Sequence, residues 1–119
     1  MAAFDIHIFT GTFDSEDSAM DYASVKYNDD DSVDCQLAAD ISASALEEDF
    51  FETIFGDERH EYLQSLLVSP EDINAIRATE NSASNTFFLI FAIEDHVDLT
   101  FDTNPKTVQF LGTYKGAWQ

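Results

Sequence analysis

Three histidines, one cysteine and 24 carboxylates are the side chains here with the most obvious capacity for chemistry. His7, His60 and His96 lie far apart, and none stands in the His-Glu-x-x-His spacing that puts two imidazoles of one helix on a metal. His60, next to Glu61, reads as a solvated residue on a helix surface, and His96 as part of a hairpin turn. Cys35 is solitary, which excludes an internal disulfide or a cysteine zinc cluster and suggests a buried structural thiol. The run Asp29-Asp30-Asp31 shares its charge with a calcium loop but lacks the glycine that lets such a loop turn and the glutamate that closes it. Glycines at 11, 56, 112 and 116 form no phosphate-cradling loop, and no serine has the flanking glycines of a nucleophile elbow. Paired carboxylates such as Asp49 and Glu52 are the right type for acid–base work, but in a chain this acidic such pairs arise by chance. These residues assign no catalytic, metal-binding or cofactor-binding group. An enzyme would need, in addition, a polar pocket that shifts a carboxylate pKa.

What the carboxylates do supply is a field. The formal net charge is −19, and it is uneven: 17 acids against Lys26 and Arg59 give −15 through Glu61, while seven acids against Arg77, Lys106 and Lys115 give −4 beyond it. Such a potential repels nucleic acid and anionic membranes and speeds encounter with basic partners. Two clusters carry much of it: Asp29, Asp30, Asp31 and Asp34 in the first, and Glu47, Glu48, Asp49, Glu52, Asp57 and Glu58 in the second. Adaptation to a salty cytoplasm is the alternative source of acidity, though it would spread the charge more evenly.

The elements that must position these acids follow from apolar periodicity. At 119 residues the chain fits one domain, and its 45% hydrophobic content and 11 phenylalanines place it outside the disordered class. Thr86 to Ile93 is the longest apolar run and reads as a central strand with both faces covered, Phe87, Leu89, Phe91 and Ile93 on one and Phe88, Ile90 and Ala92 on the other. Val97, Leu99 and Phe101 alternate with polar residues as a second strand, and Thr107 to Tyr114 supplies a third, with Val108, Phe110 and Tyr114 in phase, so that the C-terminal third reads as a β-meander. Phe4 to Thr10 is a further strand able to join it. Asp14 or Ser15 caps a first helix through Ala19, Tyr22, Ala23 and Lys26. Val33 to Ser42 and Ala45 to Phe55 fit two more helices, the latter offering Leu46, Phe50, Phe51, Ile54 and Phe55 to the core. Gly56 caps its end, and Asp57 and Glu58 open another helix through Tyr62, Leu63, Leu66 and Leu67. Ser69-Pro70-Glu71-Asp72 reads as an N-cap serine, a first-turn proline and a capping acid ahead of Ile73 and Ile76. The expectation is one α+β domain, a mixed or antiparallel sheet of about four strands with helices packed mainly on one face. No run approaches the ~18–20 apolar residues of a bilayer span, and the N-terminal segment lacks a basic flank, which suggests a soluble cytoplasmic protein.

The segments His7-Ile8-Phe9-Thr10-Gly11, then Phe13, Ser15, Glu16 and Tyr22, and later Asp40-Ile41 and Glu48-Asp49-Phe50-Phe51-Glu52, resemble the Imm22 family of bacterial immunity proteins. The likeness covers about the first half, with Phe9 where the family often carries tryptophan and Ser42 where it has glycine. It implies a protein that binds and neutralises a cognate toxin, with no enzymatic activity of its own. Read with the charge, it implies a basic, nuclease-like toxin met by the two acidic clusters, without direct contact to nucleic acid. An acidic regulator or DNA mimic acting on a host nucleic-acid-binding protein is the reading from another class. Oligomeric state is not legible.

Overall fold

A computed structural model describes residues 4–30, 33–43, 51–92, 101–102, 105 and 107–117. Their order is β1 (Phe4–Gly11), α1 (Glu16–Tyr22), β2 (Lys26–Tyr27), β3 (Val33–Asp34), α2 (Gln36–Asp40), β4 (Phe51–Phe55), α3 (Arg59–Leu66), α4 (Asp72–Thr79), β5 (Thr86–Ala92) and β6 (Gln109–Gly116). Four strands form one antiparallel sheet in the order β4-β5-β1-β6, and β2 and β3 form a separate small hairpin. This is an α+β domain.

β5 lies inside the sheet and is apolar on both faces for the reason its sequence suggests: each face meets its own core. Phe87, Leu89 and Phe91 join Phe4, Ile6 and Ile8 of β1 against Leu63, Leu66, Ile73 and Ile76 of α3 and α4. Phe88 and Ile90 join Phe9 against Tyr22, Ala23, Leu37 and Ile41, from α1, α2 and the residues that end them. The two longer helices thus share one face, and the two shorter ones close the other.

Three departures from the sequence reading have physical causes. Residues 51–55 are a strand and not the end of a helix, because Phe-Glu-Thr-Ile-Phe is aromatic and β-branched and pairs along β5. The C-terminal third is not a meander: β1 inserts between β5 and β6 and pairs with both; of the expected second strand, Val97 and Leu99 lie outside the described residues and Phe101 belongs to no strand. Phe110 and Tyr114 do not share a face. Ile8 pairs with Gly112 and Phe9 with Phe110, so Leu111 is an extra residue that inverts the alternation of β6. Gly112, at φ 122°, supplies the left-handed backbone this bulge needs.

Caps follow the sequence at α1, where the Ser15 hydroxyl accepts from the Ser18 N–H and the Ser18 hydroxyl accepts in return from the Ser15 N–H. At α4 they do not: the chain turns from Ser69 through three-residue hydrogen bonds, and the helix begins at Asp72 without a side-chain cap. Gly116 lets α3 approach β6 closely. A Cβ there would stand 2.4 Å from Ile6 Cδ1 and 3.0 Å from the Leu66 carbonyl oxygen.

Candidate interaction surface

The acids at 57 and 58 are placed by a buried arginine. Gly56, at φ 103°, ends β4 and donates its N–H to the Asn85 carbonyl at 2.8 Å. Arg59 then turns inward: Nη1 donates to the Gly56 carbonyl at 3.0 Å, and Nη2 donates to the Ser84 carbonyl at 2.7 Å and to Glu80 Oε2 at 3.3 Å. Its guanidinium lies over the Phe87 ring, 5.2 Å from the centroid. His60, also buried, gives Nε2 to the other Glu80 oxygen and sets its ring edge-on to Phe87. His60 is therefore not the solvated residue its neighbour Glu61 suggests. Its partner comes twenty positions later, where α4 ends. The cluster ties the turn before α3 to the loop before β5. With every contact internal, it holds Asp57 and Glu58 exposed on a fixed turn.

Glu52 stands on β4, at the edge of the sheet among the described residues, and its carboxylate accepts from the Tyr62 hydroxyl of α3 at 2.6 Å. Partial burial, then that hydrogen bond and the charge of Glu52, push the Tyr62 phenol up to about 12, so at neutral pH it is a donor. Along the same edge, on the side of α1, runs a groove of about 650 Å³ between Met20, Ala23 and Val25 and the strand residues Phe51 and Thr53. Asp21 lines it and pairs with Lys26 at 3.2 Å.

Asp29 and Asp34 are exposed on the β2–β3 hairpin, as is Asp30; Asn28 Nδ2 donates to Asp34 at 3.0 Å. The hairpin leaves and rejoins the α1–α2 face through Ala23 and Cys35, whose thiol lies 3.6 Å from the Ala23 carbonyl. Cys35 is half-buried rather than buried. The hairpin acids therefore go with the α1–α2 side of the sheet, and Asp57 and Glu58 with the turn that leads into α3. Asp31, Glu47, Glu48 and Asp49 lie outside the described residues.

Other polar constellations are engaged in the fold. Asp40 accepts from the Tyr22 hydroxyl at 2.7 Å and from Gln36 at 2.8 Å, which ties α1 to α2. Burial, then Asp40, pushes the Tyr22 phenol upward. A second cleft, about 660 Å³, is lined by hydroxyls and amides together with Pro105, Val108 and Phe110. Among them Thr10 donates to the Thr86 carbonyl, Thr12 to the Ala83 carbonyl and Gln109 to the Thr79 carbonyl. Among the described residues no three histidine, cysteine or acidic side chains are grouped to hold a metal ion, and no helix is long and apolar enough to cross a membrane. Comparison with family models, with curated proteins and with solved structures returns no match.

Proposed function

We propose that this chain is an immunity protein that binds and neutralises a cognate bacterial toxin in the cytoplasm, the toxin being a nuclease whose basic surface it meets with carboxylates. A nuclease must attract a polyanion, so its cleft is electropositive, and an inhibitor of −19 net charge is drawn to the same place. The observation that carries the reading is the turn at Asp57 and Glu58, exposed yet pinned from beneath by Arg59. A turn whose backbone is already fixed loses little conformational freedom on binding, which distinguishes it from a mobile loop that carries the same acids. The resemblance in the first half supplies the toxin–immunity context, and the inhibitor needs no cofactor.

Co-expression with the product of the adjacent gene, followed by pull-down and a toxicity assay, tests the proposal. Lysine reversals are then made in two pairs, Asp29 with Asp34 on the hairpin and Asp57 with Glu58 on the turn before α3. The pair that faces the toxin slows association, more at low salt than at high. If neither reversal alters association or protection while the fold is intact, the acidic surface is not the inhibitory one. Capture of a host nucleic-acid-binding protein in place of a toxin would move the function to an acidic regulator.

A further inference from the structure

We infer that the outer edge of β4 and the groove beside it receive an extended, basic segment of a protein partner, which adds to the sheet as a strand next to β4. The backbone supplies the first half of the case. Gly56 bonds Asn85 across the β4–β5 ladder, and antiparallel alternation then turns the backbone groups of Ile54 and Glu52 inward and those of Phe55, Thr53 and Phe51 outward. Among the described residues no strand lies beyond β4 to take those groups. Free edges are usually blunted by lysine, proline or a bulge. Phe-Glu-Thr-Ile-Phe carries none of these; its one charge, Glu52, is engaged by the Tyr62 hydroxyl, and the other four residues are types that pair well.

The groove supplies the second half. Phe51 and Thr53 form one wall, and Met20, 51% exposed, stands on the other beside Ala23 and Val25. Alternate side chains of an added strand would fall on this side, and a thioether adapts its shape to whatever enters. Charge selects the occupant. A second copy of this chain would bring another −19 to an edge already flanked by Asp21 and Glu52, whereas a segment with arginine or lysine beside its apolar residues meets those carboxylates. This deepens the proposed function and rests on it for the partner's identity. The edge itself can be tested without a toxin.

The first probe is a short acetylated peptide of alternating valine and arginine, with amide hydrogen exchange read residue by residue on the full chain. The expected result is exchange slowed roughly tenfold or more at Phe51, Thr53 and Phe55. Thr53→Pro removes an outward N–H without touching the ladder to β5, and Met20→Lys puts a cation in the groove at an exposed site that leaves the core intact. Both are expected to weaken peptide binding roughly tenfold. Absence of protection at these three amides, or protection that grows with protein concentration and no peptide, overturns the inference; so does unchanged affinity in Met20→Lys. The toxin is the second probe. A toxin complex that leaves the β4 amides unprotected sinks this edge as the interface but not the immunity function, whereas peptide protection without toxin binding does the reverse.

Discussion

Glu80→Gln removes one negative charge from beneath two cationic or polarisable partners and should be among the most damaging substitutions in the chain. The Arg59 and Glu80 side chains are each only 9% exposed, and the Arg59 Nε has no hydrogen-bond partner even in the intact protein. Loss of the carboxylate charge leaves a buried guanidinium held by the Gly56 and Ser84 carbonyls and the Phe87 ring alone. Breaking one side of a buried ion pair costs about 3–5 kcal/mol, against a total of about 5–15 kcal/mol for a domain. At roughly 4 °C per kcal/mol for a chain of this size, the midpoint of thermal unfolding should fall by about 12–20 °C. Urea titration at neutral pH gives the free energy directly. The companion variant replaces Arg59 by Met and both His60 and Glu80 by Leu. It removes the charges together and should lie nearer wild type than Glu80→Gln, because no ion is stranded. A Glu80→Gln protein within about 1 kcal/mol of wild type would show that the cluster is open to water and does not pin the turn.

Phe91→Ala should cost about 3–5 kcal/mol, since Phe91 is buried in β5 and packs edge-on against Phe4; normal expression and a melt within a few degrees of wild type would contradict that placement. Gly116→Ala forces a methyl group onto Ile6 and the Leu66 carbonyl and should cost about 1–3 kcal/mol, read by the same titration. Thermal midpoints should rise from low salt to physiological ionic strength, where the Debye length of ~8–10 Å screens the self-repulsion of a −19 chain; a flat profile refutes it. Burial lowers the pKa of His7 against the opposing pull of Asp5, so the unfolded chain takes up that proton first as pH falls below about 6.5, and His7 contributes stability that is lost on acidification through that window. His7→Gln should flatten the slope there, and an unchanged slope would assign it to other groups.

The inner strands were legible because their apolar runs admit one interpretation. Phe87 through Phe91 cannot sit on a wet face, and Phe4, Ile6 and Ile8 alternate cleanly. β4 was not, since Phe50, Phe51, Ile54 and Phe55 also recur at helical spacing, and only pairing with β5 decides between the two. The phase of β6 was hidden by a single inserted residue at Leu111, and the sheet order by the fact that sequence shows which segments are strands but not which ones adjoin. For the surface, the acids at 29, 30, 34, 57 and 58 were visible as charge, and each is exposed. Their assignment to a hairpin and to the turn before α3 was not visible, nor was the Arg59–Glu80–His60 cluster that fixes that turn, because its members come from the start of α3 and the residue that ends α4, twenty positions apart.

The position of β1 between β5 and β6 sets the order in which this protein can be made. Phe4–Gly11 is synthesised before every other described element, yet both of its neighbours, Thr86–Ala92 and Gln109–Gly116, are the last two of the described strands to emerge. No sheet can close around it until Gly116 has left the ribosome, and such distant pairings make folding slow. Throughout that wait Phe4, Ile6, Ile8 and Phe9 are without their cover. The dense early carboxylates, whatever they later bind, are already present to keep nascent chains apart.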